Sequence, residues 1–478
     1  MRRTKIIATL GPASSDPVVL ARMIRAGLDV ARLNFSHGSR ADHMRAIRAV
    51  RTASHRVGKR IGVLLDLQGP RLRLGEFEGG STRVATGAEI WVTDRQRDAG
   101  HDVVPIIYSG LMQDVSAGDR ILIDDGKVEL RVLGRGRKGL RCRVAVGGPL
   151  SDHKGVNFPG VRLSAPSLTS KDREDLRFGL AQDVDFVALS FVRSGEDLIR
   201  LRRIVRSARN RPLLIAKIER REAIENLEEI LDAADGVMVA RGDLGVEYPP
   251  ERVPILQKRI IERANANEVT VITATQMLES MIAATKPTRA EASDVANAIF
   301  DGTDAIMLSA ETAVGRYPDK VVQTMARIAS EADEFAATKR APRRSDGTAL
   351  VSPTHALAHT AYMAAREIRA RALVIFTHSG YSARLVAKSR PQAPILALTP
   401  LEATCRRLSL AWGVHPVMVP RWRTAERMVE TGLAILIRRK MLRRGDWVVA
   451  MAGTTTRSGG TNMLRILQQG RPPDRPRR

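Results

Sequence analysis

Cysteine is nearly absent: Cys142 and Cys405 are the only two in 478 residues, far apart and outside any C-x-x-C pattern. That excludes a disulfide-stapled secreted scaffold and a thiolate metal site, and a reducing, cytoplasmic location is expected. Aromatic residues make up only 4%, too few for the stacking platforms that bind single-stranded nucleic acid. No run approaches the ~18 consecutive apolar residues of a membrane-spanning helix. The basic start Met1-Arg2-Arg3 leads into an apolar stretch, Ile6 to Leu10, that meets Gly11-Pro12 before reaching signal-peptide length. Neither export nor a membrane partner is expected. Acidic residues are outnumbered, 52 against 77 Lys and Arg, for a formal charge of +25. The basic residues are spread along the whole chain without a nucleic-acid motif of defined spacing, so they read as a solvated surface that attracts anions, not as a specific nucleic-acid interface.

What is present is a large globular chain. Hydrophobic content of 44% with 27% charged residues supports a packed core, and the length exceeds the roughly 250–300 residues at which one core stops growing. Short β-branched runs recur between helical patterns: Lys5 to Leu10, Asp29 to Phe35, Ile61 to Leu67, Val184 to Phe191, Leu213 to Glu219, Gly236 to Arg241, Val269 to Thr275 and Ala305 to Ser309. Buried parallel strands read as continuous apolar runs, and eight of them alternating with helices indicate a closed barrel. More than a hundred residues separate the third run from the fourth, far too many for a βα connection. That interval carries turn signals such as Glu78-Gly79-Gly80 and Asp124-Asp125-Gly126 between short alternating segments, the marks of an inserted β unit. Leaving through a βα connection, it emerges at the barrel's C-terminal face, where a lid is useful.

The predicted architecture is therefore α/β: a (β/α)8 TIM barrel (1–69 and 166–335), an inserted small β-rich lid domain (70–165), a linker (336–353), a C-terminal open α/β domain (354–470) and a disordered tail (471–478). A helix is expected over Pro318 to Phe335, and C-terminal strands at Ala372 to Thr377, Ile395 to Thr399 and Trp447 to Ala452.

Polar residues at the C-terminal ends of barrel strands converge on one pocket. Here those ends carry Arg32, Asn34, Ser36 and His37, then Asp66, Lys217 with Glu219, Arg241-Gly242-Asp243, Thr275 and Ser309 with Glu311. Alternate strand residues share a face, so Lys217 and Glu219 point the same way, as do Arg32 and Asn34. Several cations beside several carboxylates suit a metal-bridged phosphate, because phosphoryl transfer is mostly positioning and charge neutralisation. Magnesium keeps one or two protein carboxylates, which Glu219 and Asp243 supply. An isolated Lys-x-Glu is more often a structural ion pair, Ser309 and Glu311 read as supports, and His37 alone as a cap or core residue.

These segments resemble the pyruvate kinase family along nearly the whole chain. The resemblance rests on Thr4-Lys-Ile-Ile-Ala-Thr-Leu-Gly-Pro-Ala-Ser14, Val30-Ala-Arg-Leu-Asn-Phe-Ser-His-Gly38, Ile215-Ala-Lys-Ile-Glu219, Met238-Val-Ala-Arg-Gly-Asp-Leu-Gly245, Ala274-Thr-Gln-Met-Leu-Glu-Ser280, Lys286-Pro-Thr-Arg-Ala-Glu291 and Ile306-Met-Leu-Ser-Ala-Glu-Thr312. It implies metal-dependent phosphoryl transfer from phosphoenolpyruvate to ADP, giving pyruvate and ATP, in a homotetramer. By that resemblance Lys217 stabilises the phosphoryl group in flight, Glu219 and Asp243 hold Mg²⁺ or Mn²⁺, and Gly242 with Thr275 receives the substrate carboxylate. Arg32 and Arg73 grip phosphate, Thr275 lies near the face of the enolate to be protonated, and Asn34, His37 and Lys154 contact the nucleotide. Asp125 is a further candidate from the lid.

Two positions depart from the family pattern or extend it. Members that need K⁺ hold it at the positions matching Asn34, Ser36, Asp66 and the next residue, which here is Leu67 and lacks a hydroxyl. Such members carry Glu where this chain has Arg71, so the fixed charge of Arg71 is expected to replace the ion and K⁺ not to be required. Thr377-His378-Ser379-Gly380-Tyr381-Ser382 resembles the effector loop of regulated members, and with Gly453-Thr-Thr-Thr-Arg-Ser-Gly-Gly460 it suits the phosphate of an activating sugar or nucleotide. A barrel lyase or aldolase shares the metal carboxylates without needing the lid with Lys154. A nucleic-acid-binding protein explains the charge but not the set of strand ends.

Overall fold

The computed structural model describes residues 2–96, 102–339, 352–421, 424–453 and 460–468. Eight parallel strands close into a barrel: β1 (Lys5–Thr9), β2 (Val30–Asn34), β3 (Gly62–Asp66), β4 (Phe186–Leu189), β5 (Leu213–Ile218), β6 (Gly236–Ala240), β7 (Thr270–Ala274) and β8 (Ala305–Leu308), with β8 pairing back onto β1. Each strand falls inside its predicted run and is trimmed at one or both ends. Inward side chains, among them Ile7, Leu64, Phe186, Met238, Ile272 and Met307, fill the interior, and Leu410 from the C-terminal region packs against them.

The residues just before the even strands have a structural job. Asp29, Asp185, Asp235 and Asp304 stand just before the even strands, and each carboxylate accepts the backbone N–H of the preceding odd strand, from Ile6, Val63, Leu214 and Val271 at 2.9, 2.9, 2.9 and 2.8 Å. Each also donates its own N–H to the carbonyl of that same residue. A ring of carboxylates thus lines the barrel floor, and the C-terminal unit docks on it with cations. Arg406 reaches Asp185 at 2.7 Å, while Lys388 and Arg390 reach Asp304 at 2.6 and 2.8 Å.

Between β3 and β4 the chain builds a six-stranded sheet and a two-stranded sheet around their own core, which includes Leu74, Val92, Ile121, Leu130, Leu140 and Phe158. The returning strand is clamped to the barrel mouth. Arg220 donates to the Val161 carbonyl at 2.8 Å and pairs with Glu247 at 2.7 Å, and Glu247 accepts the Gly160 N–H.

The C-terminal unit is a five-stranded sheet, β9 (Ala372–Phe376), β10 (Ile395–Thr399), β11 (Val414–Met418), β12 (Trp447–Gly453) and β13 (Thr461–Gln468), in the order β11-β10-β9-β12-β13, with β13 antiparallel at one edge. Apolar clusters cover both faces. Strands β11 and β13 have no counterpart in the sequence reading, because His415, Pro416, Arg465 and Gln468 interrupt their apolar patterns. The helix from Pro318 continues to Lys339 instead of ending at Phe335, since Ala336, Ala337 and Lys339 are good helix formers. The next helix, Pro353–Glu367, starts at an N-cap Ser352. Residues 340–351, 454–459 and 471–478, which hold most of the expected linker, most of the second phosphate motif and the tail, lie outside the described residues. Among the described residues no helix is long and apolar enough to cross a membrane.

Candidate active site at the barrel mouth

The strand ends converge as alternation along each strand requires. Arg32 at the top of β2 donates through Nε to Asp66 Oδ2 at the top of β3, 2.6 Å away, and through Nη1 to the Thr9 hydroxyl at 2.8 Å. From β5, Lys217 Nζ lies 2.7 Å from Glu219 Oε1 and 3.5 Å from Asp66 Oδ1, and donates to the Ser190 hydroxyl at 2.8 Å. Ser190 passes its own proton to the Leu67 carbonyl at 2.7 Å. Glu219 accepts the Phe191 N–H through its second oxygen at 2.8 Å.

The electrostatics are strongly perturbed. Burial works against the charge on Lys217, but Asp66, Glu219 and Asp243 outweigh it and hold the ammonium above the ordinary lysine range. Burial likewise opposes ionisation of Asp66, yet Lys217 and Arg32 keep its carboxyl below the ordinary range. Glu219 goes the other way: burial first, then the neighbouring Asp243 charge, push its carboxyl up despite Lys217. Asp66 Oδ1 is buried and accepts no hydrogen bond. Glu219 and Asp243 are two carboxylates crowded together, and Asp66 Oδ1 beside them has Lys217 at 3.5 Å. Among the described residues no three His, Cys, Asp or Glu side chains are grouped to hold a metal by themselves.

Asp243 and Gly242 open the helix Arg241–Glu247 after β6. The Gly242 N–H donates to Thr275 Oγ1 at 2.9 Å, so this amide and this hydroxyl are together as expected and already bonded to each other. Asn34 Oδ1 accepts the Ser36 N–H at 3.1 Å, which bends the chain after β2 and leaves His37 exposed. Partial burial and then the guanidiniums of Arg71, Arg73 and Arg32 lower the His37 pKa. Partial burial and Arg73 press against the charge on Arg71, while Asp243, Asp125 and Glu219 favour it.

The inserted unit meets the barrel mouth beside Asp243. A cleft of about 280 Å³ is lined by Arg71, Arg73, Asp124, Asp125, Lys154 and Asp243, with barrel residues below. Arg73 Nη1 donates to the His153 carbonyl at 3.5 Å, and Lys154 pairs with Asp124 at 3.0 Å, not with Asp125. Glu311 is a support: it accepts the N–H groups of Leu278 and Ser309. Cys142 and Cys405 are buried, and burial pushes their thiols up to about 12 and about 11.

Far from this mouth, Thr377–Ser382 makes the strand-to-helix turn after β9. Thr377 Oγ1 accepts the Gly380 N–H at 3.0 Å, Gly380 takes a left-handed conformation that suits glycine, and Ser382 bonds the Thr461 hydroxyl at 2.8 Å. The His378 carbonyl accepts from Thr404, and Tyr381 is exposed.

Sequence reasoning passed over Ser190, which joins Lys217 to the Leu67 carbonyl, and gave Arg241 no role. The signal for Ser190 was its place as the polar residue ending β4.

Comparison with known proteins agrees with this geometry. The pyruvate kinase barrel-domain model matches residues 1–322 and the pyruvate kinase alpha/beta-domain model residues 355–467. Pyruvate kinase 2 of Synechocystis is 45% identical over 473 residues, covering 97% of this chain and 79% of its own length. The pyruvate kinases of Sporosarcina psychrophila and Staphylococcus saprophyticus are each 42% identical over 98% of this chain and 80% of their own. With the barrel model alone spanning more than half of the residues and these relatives aligned across nearly all of them, the chain belongs to the pyruvate kinase family.

Proposed function

We propose that the barrel mouth carries out this family's reaction with the roles that follow. The P–O bond to the enol oxygen of phosphoenolpyruvate breaks, a bond to the β-phosphate oxygen of ADP forms, and the enolate left behind takes a proton at its methylene carbon to give pyruvate. Membership implies a divalent metal, and the donor set fits one: burial and Asp243 push the Glu219 carboxyl up, and added positive charge favours its ionised form. Glu219 and Asp243 would hold Mg²⁺ or Mn²⁺. When bound, that ion neutralises charge on the transferring group.

The chain's own groups do the rest. The Lys217 ammonium, fixed by Ser190 and Glu219, faces the phosphoryl group in transit. Arg32 and Arg73 bind its oxygens, with Arg32 keeping guanidinium hydrogens free beyond those given to Asp66 and Thr9. The substrate carboxylate sits against the Gly242 N–H, sharing it with Thr275 Oγ1, and the Thr275 hydroxyl stands by the enolate face that is protonated. Asn34, His37 and Lys154 line the nucleotide side, and closure of the inserted unit excludes water. Arg71 takes the place of K⁺ over the site of Asn34, Ser36, Asp66 and Leu67. The turn Thr377–Ser382 binds a phosphorylated effector, and the chain assembles as a cytoplasmic homotetramer.

The observation that carries the reading is one lysine, Lys217, held among three carboxylates at the open end of the barrel. A coupled assay for ADP-dependent pyruvate formation tests it: wild type is active, and Lys217→Met falls by about 10²–10³-fold, the usual scale for losing one preorganised electrostatic group. Undiminished turnover in that variant refutes the assignment. Replacing K⁺ by tetramethylammonium at constant ionic strength leaves the rate unchanged if Arg71 stands in for the ion; a large loss refutes that part alone.

A further inference from the structure

Arg241 opens the helix whose next two residues are Gly242 and Asp243, yet its side chain turns sideways, away from the phosphate cleft. Nε donates to the carbonyls of Ala274 and Thr275 at 3.3 and 3.2 Å, and Nη2 donates to those of Thr275 and Gln276 at 2.6 and 3.1 Å. Nη1 donates to Asp294 Oδ2 at 2.6 Å. The guanidinium therefore gathers three consecutive carbonyls at the top of β7 and is anchored from behind by one carboxylate.

Those carbonyls belong to strained backbone. Thr275 has φ 67° and Gln276 has φ 53°, the left-handed region that non-glycine residues seldom enter and that a β-branched residue enters only when its surroundings impose it. This turn aims Thr275 Oγ1 at the Gly242 N–H. A structural ion pair between neighbouring helices needs only Asp294. It does not account for a planar fork spent on three neutral oxygens, two of them from left-handed residues, a task that suits the five donors of arginine and not the single ammonium of lysine.

We propose that Arg241 is a positioning residue for the reaction: by collecting the carbonyls of Ala274, Thr275 and Gln276 it holds the left-handed turn that sets the Thr275 hydroxyl against Gly242 at the substrate. The proposal rests on the assignment of Thr275 to the enolate face. Without the guanidinium the turn relaxes toward extended backbone and the hydroxyl leaves its place. A displacement of that order costs about 10²-fold in rate.

A double-mutant cycle tests it, reading kcat, the KM for each substrate, and deuterium uptake from D2O into the pyruvate methyl group in the presence of ATP. Arg241→Gln is expected to lower kcat by about 10- to 100-fold, to lower deuterium uptake in parallel, and to leave the KM for ADP unchanged. Arg241→Lys recovers part of the loss. Combined with Thr275→Ala, Arg241→Gln adds nothing further, because both changes remove the same placed hydroxyl. Multiplicative losses in the double variant, or wild-type kcat in Arg241→Gln, overturn the proposal. Wild-type turnover in Thr275→Ala overturns the reading of Thr275 together with it, whereas a full Thr275 effect with multiplicative losses overturns only the role of Arg241. Should Arg241→Gln fail to fold, Asp294→Asn, at a partly exposed position, carries the test: a several-fold drop in kcat with unchanged KM for ADP supports the proposal, and wild-type kcat refutes it.

Discussion

Replacing Asp304 with asparagine removes the charge at the centre of the junction between barrel and C-terminal unit. Its carboxylate faces Lys388 at 2.6 Å and Arg390 at 2.8 Å and accepts the Val271 N–H at 2.8 Å, with 2%, 7% and 6% exposure for the three charged side chains. Burial opposes ionisation of Asp304, but Arg390 and Lys388 hold its carboxyl below the ordinary range. Asparagine keeps the volume and its one oxygen can still accept from Val271, but its NH2 then meets the Arg390 guanidinium, so the charge and one acceptor are lost against two buried cations. Breaking such a pair from one side costs about 3–5 kcal/mol. At ~2–4 °C per kcal/mol for units of about 150–250 residues, that is a fall of roughly 6–20 °C in the transition of the junction. Trp412 reports it, since its ring lies 4.6 Å from the Arg390 guanidinium carbon; the other tryptophans, Trp91, Trp422 and Trp447, are changed to phenylalanine so that fluorescence comes from this site. Lys388→Met leaves Asp304 paired with Arg390 and has a smaller effect. Glu89→Gln, which breaks the exposed pair with Arg143 at 3.3 Å, stays within about 0.5 kcal/mol. If Asp304→Asn shifts the transition no further than Glu89→Gln, the floor is not held by these ion pairs.

Ser190→Ala removes the hydroxyl between Lys217 and the Leu67 carbonyl; a hydrogen bond to a charged group is worth ~1.5–3 kcal/mol, so kcat/KM falls roughly 10- to 150-fold if that bond sets the ammonium, and steady-state kinetics showing wild-type values refute it. Burial and nearby Lys5 lower the pKa of His415 from 6.5 to about 3. A lowered histidine favours the unfolded state once that state is protonated, so stability is full above pH ~6.5 and drops on acidification by at most about 1.4 kcal/mol per unit down to the folded pKa. His415 borders a cavity of about 780 Å³, which reduces the slope, and His415→Phe removes it from urea titrations run between pH 7 and 5. Neither cysteine reacts with a thiol reagent at pH 8 in the native protein and both react in urea; rapid native labelling refutes the burial assigned to Cys142 and Cys405.

The barrel was legible because its strands are buried on both faces and so read as unbroken apolar runs, as in Ile61 to Leu67. The inserted unit was legible from the interval it creates. Strand β11 was not, since Val414-His-Pro-Val-Met418 mixes buried and half-buried positions around a proline, and proline at an edge is tolerated where a central strand excludes it. β13 lies antiparallel at the other edge with none of its residues fully buried. At the site, side chains at strand ends were found by position alone. What position could not reveal was the direction of a long side chain: Arg241 stands between Ala240 and Gly242 in the most recognisable segment of the chain, but only coordinates show it reaching across to β7 instead of into the cleft.

The two ends of the barrel carry similar residues put to opposite uses, and the difference lies in how their carboxylate oxygens are matched. On the floor two carboxylates are matched on both oxygens: Asp304 has Arg390 on one and Lys388 with an amide on the other, and Asp185 has Arg406 on one and Arg51 with an amide on the other. Such pairs are costly to break from one side, and those with Lys388, Arg390 and Arg406 tie the C-terminal unit to the barrel. At the mouth the matching is looser. Asp66 Oδ1 meets Lys217 only at 3.5 Å, and Glu219 is raised by burial first and then by Asp243, despite Lys217. Had folding stability alone set these positions, a neutral side chain at Asp243 would relieve the crowding at Glu219. Under the proposed roles the charge that offsets this crowding is the metal held by Glu219 and Asp243, at the end of the barrel where substrates enter.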